Sequence, residues 1–254
     1  TEFRYEIIRR SVDARKKPQL FYVYTVDVTM GGEARLVKKL HKPNIQLAQK
    51  SRYHFPKPGA EAMSHRPVVV GAGPAGLFCA YELALHGYRP LILERGKRVD
   101  DRTADVVRFW EQGILDPSSN VQFGEGGAGT FSDGKLNTGT HDKRMFWVLR
   151  EFAAHGAPAD IVKKAKPHVG TDILKNVVRE MRREIIKNGG EVRFRTPLTG
   201  VSVKNGALCA VQADGQDIAC ERAVLAIGHS ARDTFAALHG NGVYFEPKAF
   251  SRRQ

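Results

Sequence analysis

Residues 67–96 read PVVVGAGPAGLFCAYELALHGYRPLILERG, and this order of residue types predicts strand, tight turn, helix, turn and strand. Val68, Val69 and Val70 form an uncharged β-branched run, the pattern of a strand buried on both faces of a parallel sheet. Gly71, Gly73 and Gly76 then place G-x-G-x-x-G where that strand turns into a helix. Gly71 permits the sharp turn, Gly73 lets a pyrophosphate approach bare backbone, and Gly76 lets the helix pack closely on the strand. The helix N-terminus offers unpaired N–H groups and a partial positive charge to two phosphates. Ala80 lies one turn beyond Gly76, and Gly87 stands where the helix should stop. Glu94 closes the second strand (Leu91, Ile92, Leu93), where a carboxylate can hold a ribose hydroxyl. Strand, glycines, small residue, helix stop and distal acid fall in one register, so the segment reads as a dinucleotide-binding unit.

The chain has 254 residues, 42% hydrophobic and 26% charged, room for one large domain or two smaller ones. Its three cysteines, Cys79, Cys209 and Cys220, lack C-x-x-C spacing. That argues against a zinc site or a redox pair and suits a reducing cytoplasm; Cys79 in the fingerprint helix and Cys209 in an expected strand read as buried packing residues. No run of about 18 apolar residues suggests a membrane span. Net charge is +13, and residues 1–66 carry 14 Lys/Arg against 6 Asp/Glu. A basic N-terminal region can meet nucleic acid or an acidic partner. The basic residues are dispersed, however, which favours a solvated face over a nucleic-acid surface.

Residues 1–55 read as a small basic α+β domain. Glu6–Arg10 can begin a strand, and Leu20–Val28 is rich in β-branched and aromatic residues, a strand signal. The polar run Ser11–Lys17 between them predicts a short connection, with a helix as one option. Residues 56–66, with Pro56, Pro58 and Gly59, form the expected linker. Residues 67–254 are expected to form the dinucleotide domain, with the start of an inserted substrate domain near the end. The chain begins at Thr1 and ends at Gln254 without a closing element, so it reads as a portion of something longer.

After Glu94 and Arg95, Thr103 is the expected N-cap of a helix carrying Val106, Val107, Phe109 and Trp110 and ended by Gly113. Residues 120–140, NVQFGEGGAGTFSDGKLNTGT, hold six glycines among Ser and Thr hydroxyls. Such a loop exposes many N–H groups and can form an anion-binding nest. Gly126, Gly127, Gly129, Thr130 and Lys135 are its candidate contacts, with Phe123, Phe131 and Leu136 as anchors. Lys143–His155 has apolar residues at helical spacing, and Thr171–Lys187 is amphipathic, stopped by Gly189-Gly190. Glu191–Thr196 reads as a strand. Asn205-Gly206 and Asp214-Gly215 are hairpin signals that make 198–220 an antiparallel meander. Ala223–Ile227 returns as a buried strand, followed by Gly228, His229 and Ser230.

The whole is α/β: a Rossmann-like domain with a parallel sheet and an antiparallel meander, preceded by the small domain. The fingerprint alone does not separate FAD from NAD, since both carry adenosine diphosphate. Fingerprint, glycine nest, meander and a returning strand ending in Ala226-Ile227-Gly228 together resemble the glutathione-reductase-type FAD fold. That resemblance implies that Leu198 runs near the adenine and that Gly228 lies on the FAD side. SVDARKK, SNVQFGEGGAGTFSDGKLNTGT, AKPHVGTD and LAIGHSARDTF resemble, over nearly the whole chain, a family of uncharacterised bacterial FAD-dependent dehydrogenases. Its members are about twice this length.

By that resemblance the full enzyme performs flavin-mediated hydride transfer to or from an organic small molecule, with NAD(P)H as an option for the reductant. The expected cofactor contacts are Gly71, Ala72, Gly73, Pro74, Ala75, Gly76, Glu94 and Arg95, with the nest residues, Leu198 and Gly228 beside them. His168 and His229 are the two candidates for catalysis, and no metal site is expected. An NAD-dependent dehydrogenase using the same fingerprint, and a binding module acting through the basic N-terminal region, are the competing readings.

Overall fold

The structure, a computed structural model, describes residues 2–49, 53–136, 138–140 and 142–248. The terminal Ser251–Gln254, read above as lacking a closing element, lies outside them. The chain divides into two compact units: residues 1–56 with 133–177, and residues 57–132 with 178–254. The division departs from a continuous 67–254 domain at 133–177, which joins the N-terminal segment through backbone bonds. The Arg10 N–H donates to Lys163 O at 2.7 Å and the Ala165 N–H to Arg10 O at 2.9 Å.

In the smaller unit, β1 (Phe3–Asp13) and β2 (Phe21–Met30) form an antiparallel ribbon followed by α1 (Glu33–Leu40). Ser11 to Asp13, expected in a polar connection, instead continue β1. Cross-strand pairing with Val23, Tyr22 and Phe21 holds them extended, and ladder hydrogen bonds outweigh the polar character of the run.

The larger unit is built on a parallel sheet of order β5-β4-β3-β9: β3 (Val68–Val70), β4 (Leu91–Leu93), β5 (Glu191–Arg193) and β9 (Ala223–Leu225). Helix α2 (Pro74–Leu85) joins β3 to β4, and Gly87 beyond it has φ 80°. The meander β6 (Leu198–Lys204), β7 (Ala207–Ala213) and β8 (Gln216–Ala219) turns where Asn-Gly and Asp-Gly predicted. Val68, Val70, Leu91 and Leu93 share one core with Leu198, Val211, Ala213 and Cys220 of the meander. Leu238 of α6 (Arg232–Gly240) completes it. Alternation along the strands puts this row on one face of the sheet.

Two expectations change here. β9 is an edge strand rather than a buried one, because its only sheet neighbour among the described residues is β3. Val224 and Leu225 are accordingly exposed. Cys209, expected to be buried, is exposed on β7, with its Sγ donating to Ser202 O.

Between β4 and the meander run α3 (Val99–Gln112), α4 (Arg144–Ala154) and α5 (Thr171–Lys187). Helix α3 begins four residues before Thr103. Its first N–H, that of Val99, is taken at 2.8 Å by the buried carboxylate of Glu125, so the cap comes from a distant loop. Thr103 sits inside the helix and donates to Val99 O. Gly113 closes it with φ 70°.

Candidate nucleotide site

The chain leaves β3 for β4 on one side and later places β9 on the other. The carboxyl end of β3 is therefore a topological switch point, where an open α/β sheet forms a crevice. Gly71 turns there with φ 102°, and a Cβ on it would collide with Ala226 O of the chain leaving β9. A Cβ on Gly76 would collide with Gly71 O, so that glycine is what allows helix and strand to approach. Gly73 differs from both. Its φ of −71° and ψ of −177° suit any residue, and a Cβ there would meet only Gly127 Cα, at 3.9 Å. Pro74 opens α2 at a position where its missing N–H costs nothing, leaving the remaining first-turn donors at the crevice.

Glu94, expected to hold a ribose hydroxyl, is almost fully buried. It accepts the Ala72 N–H at 2.6 Å and the Gly96 N–H at 2.8 Å. Each carboxylate oxygen keeps a second lone pair, and the residue lines the cavity. Arg95 lies with its guanidinium carbon 4.5 Å from the Phe123 ring centroid. It donates to both oxygens of Asp233 at 2.8 and 2.9 Å, and to Thr234 Oγ1 at 2.9 Å. Burial works against ionised Asp233, but Arg95 and the Thr234 N–H hold its carboxyl below its ordinary value.

The second glycine loop abuts the first. The Gly126 N–H donates to Ala72 O at 2.8 Å, and a Cβ on Gly127 would stand 3.0 Å from Pro74 Cδ and 3.3 Å from Gly73 Cα. Behind the loop lies Arg102, fully buried. Its guanidinium donates to four carbonyls: Asn120 and Val121 at 2.7 Å, Glu125 at 2.7 Å and Gly127 at 3.0 Å. Its carbon lies 4.7 Å from the Phe131 centroid. Burial pulls the Arg102 pKa down to about 10, opposed by the charges of Glu94 and Glu125. Glu125, also fully buried, pairs with Arg182 at 2.8 Å, and burial raises its carboxyl above the ordinary value. The glycine motif contains Glu125 without showing its burial, and it does not point to Arg102. One signal was present: Arg102 occupies the i+3 place of the apolar row Val99, Val106 on α3, where a polar residue is expected to be buried with partners.

The cavity measures about 570 Å³, within the range of small-molecule sites. Of the residues expected at a cofactor, it gathers Gly71, Gly73, Pro74, Ala75, Glu94, Arg95, Gly127, Leu198 and Gly228, and with them His229. Ala72, Gly76, Gly126, Gly129 and Thr130 are not on its wall. Lys135 and His168 belong to the smaller unit and form an isolated bridge there. Lys135 Nζ pairs with Asp133 at 2.6 Å, and His168 Nε2 lies 2.7 Å from Asp133 O. Among the described residues no cluster of His, Cys, Asp and Glu could hold a metal, and no helix is long and apolar enough to cross a membrane.

Residues 69–108 match the family model described as an NAD(P)-binding Rossmann-like domain. Residues 2–29 match a domain of unknown function (DUF8436). The larger unit therefore carries a Rossmann-like dinucleotide-binding domain. An uncharacterized protein of Clostridium beijerinckii is 47% identical over 248 residues, 98% of this chain and 46% of that protein. The chain thus spans about half the length of that relative. Solved structures with some likeness include glycine oxidase from Bacillus cereus, with 13% identity, TM-score 0.46, and 69% of this chain and 58% of that one covered. The THI4 protein of Thermovibrio ammonificans has 18% identity and TM-score 0.43, covering 69% of this chain and 60% of that one.

Proposed function

We propose that the larger unit binds FAD through its adenosine diphosphate half, and that the protein works as a flavin-dependent oxidoreductase on an organic small molecule. The observation that carries the reading is Gly73. Neither its backbone conformation nor its protein neighbours demand a glycine, yet it borders the cavity. What remains to demand it is a ligand that approaches bare backbone, as a pyrophosphate does.

Four features fit that group. The donors of the α2 N-terminus meet a diphosphate, with Gly127 closing the opposite side. Glu94, held rigid by two backbone N–H bonds, offers its remaining lone pairs to a ribose diol. Its charge repels a 2′-phosphate. Leu198 borders the end where an adenine would lie, and Gly228 and His229 border the cavity from the β9 side. Flavin, when bound, supplies the hydride chemistry, and the protein supplies binding and orientation. His229 borders this cavity, which supports it over His168 as the histidine that contacts a ligand; His168 and Lys135 contact Asp133 in the smaller unit.

A second reading, an NAD-dependent dehydrogenase, is favoured by the description of the family model over residues 69–108. Calorimetric titration with FAD, NAD, NADP and ADP separates the two. FAD binding displaced by ADP is the expected result. Binding of NAD without FAD would move the assignment to the nicotinamide class. A protein that binds none of the four would overturn both.

A further inference from the structure

We infer that Arg102 is a positioning residue for the phosphate end of this site, shaping and charging the second glycine loop from behind; the inference rests on the dinucleotide reading above. Arginine at this depth is costly unless its donors are satisfied. Here they are satisfied by backbone carbonyls of residues 120–127, which the guanidinium gathers from one side. Among the described residues no carboxylate lies within ion-pair distance of Arg102, so its charge stays uncancelled by a direct partner beneath the loop.

The N–H groups of residues 124–128 fall into two sets. The N–H groups of Glu125, Gly126 and Gly127 are used inside the protein, by Lys97 O, Ala72 O and Gly124 O. Those of Gly124 and Ala128 have no acceptor among the described residues, and both residues line the cavity. Carbonyls drawn inward by a cation and N–H groups left at a cavity wall make a concave donor surface for an anion.

The loop is also built around that side chain. Gly124 has φ 121°, and a Cβ there would collide with Arg102 Cδ. Phe131, at the end of the 3-10 turn Ala128–Phe131, supplies the ring that flanks the guanidinium. Lysine would keep the charge but not the planar fork that reaches four acceptors. Arg102 therefore acts on a ligand only through the backbone it arranges, and selectively on phosphate.

The test compares ADP with adenosine, which lacks the diphosphate. Wild type, Arg102→Lys and Phe131→Leu are titrated with ADP by calorimetry and with adenosine by ligand-observed NMR, and their folding is followed by circular dichroism. Arg102→Lys is expected to weaken ADP at least tenfold while adenosine changes less than twofold. Equal losses for both ligands would reduce Arg102 to a structural residue, and unchanged ADP affinity would remove the inference outright. If Arg102→Lys does not fold, Phe131→Leu decides: a threefold or larger loss confined to ADP supports positioning, and an unchanged ratio of the two affinities overturns it. A wild-type protein that binds FAD but responds equally to ADP and adenosine would defeat this inference alone. One that binds neither FAD nor ADP would defeat the site reading with it.

Discussion

Glu94 accepts the Ala72 N–H at 2.6 Å, so the acid at the end of β4 ties down the glycine turn that follows β3. Its other oxygen takes the Gly96 N–H. Glu94→Gln places an amide NH2 against a backbone donor and leaves a buried N–H unpaired. A loss of about 1–3 kcal/mol is expected, read as a lower urea midpoint with an unchanged m-value. An unshifted midpoint would show that the turn does not depend on this carboxylate.

The fingerprint glycines are expected to separate folding from binding. Gly73→Ala should leave stability within about 0.5 kcal/mol of wild type, because backbone and space accept a methyl group, yet weaken ADP and FAD binding tenfold or more. Gly76→Ala drives a Cβ into Gly71 O and should lower stability by about 1–3 kcal/mol. Thermal unfolding beside calorimetry checks both; equal behaviour of the two variants would contradict the assignment.

Glu125 links stability to pH. Burial raises its folded-state carboxyl above the ordinary 4.5, with the Val99 N–H and Arg182 opposing. The folded protein therefore holds this proton more tightly than the unfolded chain, and stability from this group declines as pH rises from the ordinary value through the raised one. Glu125→Gln should flatten that part of the profile in urea unfolding across a pH series. An identical slope in the variant would assign the dependence to another group.

The meander turns rest on paired positive φ values: 51° and 76° at Asn205 and Gly206, 52° and 69° at Asp214 and Gly215. Both are the primed geometry that matches strand twist. Gly206→Val and Gly215→Val should each cost about 1–2 kcal/mol. A cost near zero in denaturant melts would mean that the turns rearrange freely.

Much of this was legible because it is local. Val68 to Glu94 is one strand-turn-helix-strand unit, and its element types follow from a short contiguous pattern of residue types. The Asn-Gly and Asp-Gly turns are local in the same sense. What escaped was set by partners distant in the chain. Thr103 had the right chemistry for an N-cap, but a carboxylate from residue 125 reached Val99 first. Ser11–Asp13 looked like a connection until Val23, Tyr22 and Phe21 paired with them. Ala223–Ile227 reads as a buried strand because its composition is apolar, and only the sheet order makes its strand portion, Ala223–Leu225, an edge.

The site divides along the same line. The dinucleotide fingerprint, the acid at the end of the second strand and the glycine-rich loop are legible in the residues alone, since each is a short-range pattern of residue types. Tertiary structure alone decided that Gly127 abuts Gly73, that Arg102 lies behind the loop, and that Lys135 and His168 group with the N-terminal segment. Those facts depend on chain crossings and on which buried charge finds which carbonyl, and backbone hydrogen bonding across a hundred residues leaves no mark on the local pattern.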